Sequence, residues 1–63
     1  MSNNDVAEIQ ATLQNIGVTA TPEQIQNKLD ALARFKIIGS EAKRNTVRSL
    51  AKAAGVDTSA VFK

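Results

Sequence analysis

Three isolated glycines, Gly17, Gly39 and Gly55, divide this chain into segments in which apolar residues recur at helical spacing. Glycine tolerates positive φ, so it is a common residue just beyond the end of a helix. No two segments show the alternation of apolar and polar residues that a pair of strands would need. The sequence has no internal repeat, and its connections are short. The pattern predicts an all-α fold, a compact three-helix bundle that forms one small domain over residues 1–63.

The first segment predicts a helix over residues 5–16. Asn4 or Asp5 can cap its start, and Gly17 can end it, with Val18 packing back on the last turn. Its apolar residues are spaced three, four and three apart, which places them on one helical face. These residues are Val6, Ile9, Leu13 and Ile16.

The second segment opens with the clearest local signal in the chain, Thr21 followed by Pro22. Thr21 can serve as N-cap, and Pro22 fits the first helical position, where its missing N–H costs nothing. Gln24 can reach back to close a capping box. A helix over residues 22–36 is therefore predicted. Its expected apolar stripe consists of Ile25, Leu29, Leu32 and Phe35.

Two adjacent β-branched residues, Ile37 and Ile38, precede Gly39 and predict a buried connector that fills the core. Ser40 is then the expected N-cap of a third helix over residues 40–54. The apolar face of this helix is slim and rich in alanine, which permits close packing of helices. It comprises Val47, Leu50, Ala51 and Ala54.

After the third helix, Gly55 provides a stop and Asp57 can cap a short fourth helical turn over residues 58–63. Residues 50–61 (LAKAAGVDTSAV) resemble a helix-turn-helix DNA-binding unit in their small residue, glycine turn and later β-branched residue. In such a unit the early residues of the last helix enter the major groove of duplex DNA. The residues that would contact bases are Thr58, Ser59 and Lys63.

Charge is distributed unequally along the chain. Residues 1–33 contain four acidic residues and one lysine, a net charge of −3, whereas residues 34–63 contain seven basic and two acidic residues, a net charge of +5. The overall charge of +2 therefore conceals a polarised molecule, which favours an acidic partner such as nucleic acid. The alternative is an ordinary solvated helix face, because lysine and arginine are mostly exposed in soluble proteins.

The candidate binding surface follows from the spacing of these basic residues. Arg44, Arg48 and Lys52 succeed one another at intervals of four, along a flank of the third helix. Phe35 and Phe62 are the only aromatic residues, so contacts should depend on phosphate, with weak sequence specificity and strong salt dependence. The full set of predicted nucleic-acid-binding residues is Lys36, Lys43, Arg44, Arg48, Lys52 and Lys63.

Composition argues against several other classes of function. The chain has no histidine and no cysteine, which removes disulfides, the common zinc sites and the usual catalytic bases and nucleophiles. Sixty-three residues leave little room for a substrate cavity. We therefore expect neither an enzyme nor a cofactor or metal. The first residues have no basic start followed by an apolar run, and we expect a cytoplasmic protein without a membrane segment.

A second resemblance covers residues 18–57. Four runs carry it: residues 22–32 (PEQIQNKLDAL), 35–37 (FKI), 41–44 (EAKR) and 54–57 (AGVD). Their order resembles the helical segment that precedes the nucleic-acid-binding β-barrels in some archaeal replication protein A, the single-stranded DNA-binding protein. The chain differs from that family in having a Gly-Ser pair in the connector and no β-barrel within these 63 residues.

The resemblance implies an accessory helical module of a larger replication or repair protein, with Lys43 and Arg44 matching a basic pair of the family. In that family strand binding resides chiefly in the barrels, so the helical module could contact DNA phosphates or dock replication proteins. Two alternatives stand beside this hypothesis. One is the helix-turn-helix described above. The other is a protein-interaction module with weak self-association, through the alanine face of the third helix and the tail Val61-Phe62.

Overall fold

The computed structural model describes residues 3–59, which form three helices. Helix α1 spans Asn3–Asn15, α2 spans Pro22–Arg34 and α3 spans Gly39–Ala53. Each helix contacts the other two, and residues 3–59 contain no strand. The prediction of an all-α three-helix bundle is confirmed. Most of the predicted fourth turn, residues 58–63, lies outside the described residues.

The core is built from the apolar faces that the helical spacing predicts. Ile9 and Leu13 of α1 meet Ile25 and Leu29 of α2, and all four side chains are fully buried. Helix α3 contributes smaller side chains to this core, namely Ala42, Val47 and Ala51. Small residues on α3 let its backbone approach the other two helices closely, which suits a domain with few large apolar side chains.

The first turn of α2 forms the predicted capping box. The backbone N–H of Gln24 donates to the hydroxyl oxygen of Thr21 at 3.1 Å, and the N–H of Thr21 donates to the side-chain oxygen of Gln24 at 3.0 Å. These two bonds satisfy N–H groups that a helix start otherwise leaves without partners. The segment before α2 is also tied to α1, because the side-chain amide of Gln10 donates to the carbonyl oxygen of Ala20 at 3.0 Å.

The helices end by one recurring geometry. Beyond α1, Gly17 has a φ of +78° and the N–H of Val18 donates to the carbonyl oxygen of Leu13 at 2.8 Å. Beyond α3, Gly55 has a φ of +80° and the N–H of Val56 donates to the carbonyl oxygen of Ala51 at 2.9 Å. Both ends have the left-handed residue and the long reverse bond of a Schellman motif. The predicted roles of both glycines are confirmed.

Helix α2 ends in the same way, but without a glycine. It stops at Arg34 rather than at residue 36, and Lys36 takes the left-handed conformation with a φ of +62°. The N–H of Ile37 donates to the carbonyl oxygen of Leu32 at 3.0 Å, as Val18 and Val56 do at the other two ends. Although the residues themselves do not repeat, this helix-end geometry recurs every 19 residues along the chain.

The early end of α2 corrects two predictions about burial. Phe35 was expected in the apolar stripe of α2 and Ile38 in the core, but they are 76% and 65% exposed. Because α2 ends at Arg34, Phe35 does not continue the helical stripe. The left-handed turn at Lys36 directs Ile37 to the core, where it packs against the buried cluster, and this leaves Ile38 outside.

The start of α3 also differs from expectation. The predicted N-cap was Ser40, but the helix begins one residue earlier, and Ile38 occupies the cap position without a side-chain hydrogen bond. Gly39 has a φ of +70° at this junction, a conformation that a residue with a Cβ rarely adopts. The glycine therefore sets the direction in which the chain enters α3, a role that a serine cap was predicted to fill.

Thr46 is a polar residue in the core that the apolar pattern did not predict. Its side chain is fully buried, and its hydroxyl donates to the carbonyl oxygen of Ala42 at 2.8 Å. The carbonyl of Ala42 already accepts the backbone N–H of Thr46 within the helix. The second bond therefore gives a partner to the buried hydroxyl and supplies none that the backbone lacked.

No helix among residues 3–59 has both the length and the apolar character needed to cross a lipid bilayer.

We expect Thr46→Val to change the free energy of unfolding by less than about 1 kcal/mol, because the hydroxyl and its need for a partner disappear together. Thr46→Ser is the matched control and should destabilise by about 1 kcal/mol or more, because it removes a buried methyl group and leaves a cavity. Urea unfolding of both variants measures the difference. A Thr46→Val variant less stable than Thr46→Ser would contradict this account.

We expect Lys36→Gly to stabilise the domain by about 0.5–1 kcal/mol, because glycine adopts the left-handed conformation without the steric cost of a Cβ. Lys36→Ala removes the same charge but keeps the Cβ, so it should bring no comparable gain. For a domain of this size the gain corresponds to a rise in melting temperature of roughly 2–8 °C. Thermal unfolding followed by circular dichroism tests the pair, and equal melting temperatures for the two variants would disprove the explanation.

Candidate nucleic-acid interface

Three of the four predicted basic residues of α3 form a row on the outside of the bundle. Arg44, Arg48 and Lys52 are all exposed and follow one another one turn apart. We call these three residues the α3 stripe. The buried residues of α3, such as Ala42 and Val47, face the other two helices, and the stripe lies along a flank beside them. The stripe is therefore directed toward solvent along about 12 Å of helix.

A shallow polar depression lies at the N-terminal half of the α3 stripe. Its volume is about 300 Å³, and its walls are Ser40, Glu41, Arg44, Asn45 and Arg48. Two guanidinium groups and two neutral polar side chains make it suited to an anion. Glu41 adds one negative charge, which lies in the first turn of α3, where the helix dipole favours it.

Lys43 does not join the α3 stripe. Its ammonium group forms ion pairs with Glu8 at 3.2 Å and with Asp5 at 3.4 Å, and so connects α3 to α1. The hydrogen bond to Glu8, followed by the one to Asp5, raises the pKa of Lys43 above its ordinary value of 10.5. Adjacent residues of a helix do not face the same way, which separates Lys43 from Arg44. The structure thus assigns Lys43 a contact between helices.

The remaining predicted site residues lie elsewhere. Lys36 is exposed in the connector between α2 and α3, and Lys63 lies outside the described residues. Next to Lys36 the structure exposes Arg34 and Phe35, neither of which was predicted to belong to the site. The signal that could have found them is the run of basic, aromatic and basic residues at positions 34–36.

The carboxylates of α2 do not form a paired site. Asp30 accepts a hydrogen bond from the side-chain amide of Gln26 at 2.8 Å, one turn away on the same helix. Glu23 lines a separate, mostly apolar depression of about 440 Å³ between α1 and α2. The other walls of this depression are Val6, Ala7, Gln10, Pro22 and Gln26. No candidate site residue lies in it.

Residues 55–59 provide part of the geometry expected of the helix-turn-helix alternative. Asp57 accepts a hydrogen bond from the backbone N–H of Ser59 at 2.9 Å, the type of bond a capping aspartate makes. This bond, together with one from the Ser59 side chain, lowers the pKa of Asp57. Ser59 is exposed and Thr58 is half-buried, whereas Lys63, the third residue of that hypothesis, lies beyond the described part of the chain.

Comparison with known proteins adds no relative to these observations. No protein-family profile, curated protein or solved structure matches the chain. The resemblance to replication protein A therefore stays a prediction from the sequence, and functional hypotheses depend on the geometry of the exposed residues.

We expect Lys43→Met to lower the melting temperature at neutral pH, because it leaves Asp5 and Glu8 close together without a cation between them. The raised pKa of Lys43 means that the wild-type ion pairs stabilise the fold fully below about pH 10.5. This contribution disappears as the pH rises through the raised pKa. The gap between wild type and variant should therefore be constant from neutral pH to about pH 10 and should narrow above it.

Thermal unfolding between pH 7 and pH 11.5 measures this gap, with Lys28→Met as the control because Lys28 takes no part in these ion pairs. The control removes the same kind of charge from α2. A gap for Lys43→Met that does not depend on pH above about 10.5 would show that the ion pairs do not stabilise the fold.

Proposed function

We propose that this chain is an accessory helical domain of a single-stranded DNA-binding protein of the replication protein A type, and that it contacts DNA phosphates through the α3 stripe. The observation that carries the proposal is the outward row of Arg44, Arg48 and Lys52 on a helix whose other side is buried. The resemblance of residues 18–57 to the helical segment of that family supplies the replication context.

The distribution of charge supports a polyanionic partner. Asp5 and Glu8 of α1 form ion pairs with Lys43, whereas the three basic residues of the stripe are exposed on the outer side of α3. Rows of cations along a helix attract a nucleic-acid backbone by releasing its condensed counterions. The stripe contains no aromatic side chain on which a base could stack, and this favours contacts to phosphate.

Binding of duplex DNA is the second candidate, and one feature of the fold favours it. Four residues, 35–38, connect α2 to α3, which is the length of the turn in a helix-turn-helix unit. In that arrangement α3 would enter the major groove and present Arg44, Asn45 and Arg48. This differs from the unit predicted at residues 50–61, because the candidate recognition helix is now α3 itself.

The alanine face of α3 gives less support to the protein-interaction hypothesis. Ala51 and Val47, which belong to that face, are buried against α1 and α2 within the bundle. They are therefore already covered by the domain. The other part of that hypothesis, the tail Val61-Phe62, lies outside the described residues.

We expect the double variant Arg44→Gln/Arg48→Gln to bind a fluorescein-labelled oligothymidylate at least about tenfold more weakly than wild type at low salt. The slope of log affinity against log salt should become shallower by about 0.7 for each lost phosphate contact to a single strand. Fluorescence anisotropy at several salt concentrations measures both quantities. Circular dichroism confirms that the variant is folded.

Lys28→Gln is the matched control, since it removes a positive charge from α2 and leaves the stripe on α3 intact, and it should bind as wild type does. Wild-type affinity for the double variant, or binding that ignores salt, would disprove the contact through the α3 stripe. A duplex of the same length provides the second arm. Tighter binding to duplex than to single strand would replace the first candidate with the second.

A further inference from the structure

The connector between α2 and α3 exposes an aromatic ring in a strongly basic setting. Phe35 is 76% exposed, and together with Ile38 it is one of the two large apolar side chains left exposed in the described part of the chain. Arg34 precedes the ring and Lys36 follows it, both exposed. No aspartate or glutamate occurs between Ala31 and Ser40. The ring is thus the apolar centre of a cationic patch.

The backbone conformation of Lys36 costs more than the same conformation at the ends of α1 and α3, where glycine occupies the position. Gly17 and Gly55 occupy the left-handed position after α1 and α3, whereas Lys36 occupies it after α2. A residue with a Cβ in this conformation is strained, and strained residues cluster at functional sites. Stability alone would favour glycine here. The lysine places a positive charge next to Phe35 instead.

We propose that Arg34, Phe35 and Lys36 form a base-stacking site for single-stranded nucleic acid, in which an unpaired base stacks on the ring and the two cations contact the flanking phosphates. The proposal rests on the proposed function and gives it a specific site. Exposed aromatic rings beside cations are the recurring elements of proteins that bind single strands. The bases of a duplex are stacked on each other, so this site should select single strands.

Charge favours this occupant over an apolar protein surface. A hydrophobic docking site for a helix needs a row of apolar anchors, usually four along the bound helix. The connector offers one ring and one isoleucine with a cation on each side of the ring. A negatively charged chain with flat, stackable bases complements both the charge and the shape of this patch.

The stacking site lies within reach of the polar depression beside the α3 stripe. Four residues separate Phe35 from Ser40, which lines the polar depression together with Arg44 and Arg48. The Cα atoms of Phe35 and Ser40 are therefore at most about 18 Å apart. About five nucleotides cover that distance even at the compact rise of about 3.4 Å per nucleotide of a duplex strand. One short strand can contact both surfaces.

We expect Phe35→Ala to weaken binding of a labelled oligothymidylate of about ten nucleotides by roughly 5- to 100-fold, the usual effect of losing one stacked base. The salt slope should not change, because no phosphate contact is removed. Ile38→Ala is the matched control, an exposed apolar neighbour that should bind almost as wild type does. Phe35 is exposed, so its variants should fold, which circular dichroism verifies.

Phe35→Trp supplies a direct readout of stacking. The chain contains no tryptophan or tyrosine, so the new indole is the only strongly emitting residue. Its fluorescence should be quenched when the oligonucleotide binds, with affinity equal to or tighter than that of wild type. Lys36→Gly completes the series. It should reduce the salt slope by about 0.7, because it removes one phosphate contact, even though it stabilises the fold.

The outcomes separate the stacking site from the phosphate contact. Wild-type affinity for Phe35→Ala together with an unquenched Phe35→Trp overturns the stacking site, and the proposed function then stands if Arg44→Gln/Arg48→Gln still weakens binding. No binding of the oligonucleotide by wild type overturns both. Self-association that is weakened equally by Phe35→Ala and Ile38→Ala, as measured by sedimentation, would identify the patch as a protein contact and overturn the stacking site.

Discussion

The hydrogen bond that reverses the chain after each helix is the contact on which the rest of this structure depends. The N–H groups of Val18, Ile37 and Val56 bond to carbonyls five residues earlier, and each of these aliphatic side chains then packs against the core. A chain of 63 residues can bury only a small apolar surface, so each side chain added to the core matters to its stability. The reversal adds a β-branched side chain to the core at each helix end and fixes where the next connector starts.

Much of this fold could be predicted from local sequence because its main signals act over a few residues. The capping box at Thr21, the glycine stops and the apolar spacing of the helices each depend on contacts within about one or two turns. Lys36 escaped prediction because nothing in a lysine marks a left-handed residue. The exposure of Phe35 and Ile38 followed from that turn, so these two errors share one cause.

In the candidate site, too, features set by helical spacing could be predicted, whereas those set by the packing of distant segments could not. The exposure of the α3 stripe follows from helical periodicity, since its residues lie along a flank beside the apolar face. The contact of Lys43 could not be predicted, because Glu8 is 35 residues away and becomes a neighbour only when α1 packs on α3. Thr46 is a similar case: its burial depends on how closely two other helices approach it.

The way in which the helices end has a consequence for how the chain folds. Each reversal is closed by bonds between residues no more than five apart, so the corners of the bundle can form before any helix finds its partners. Closing such short loops costs little chain entropy. Helical proteins dominated by local contacts fold within microseconds to milliseconds. A domain of this kind is therefore expected to fold quickly, because its corners form without a search for residues that are distant in the sequence.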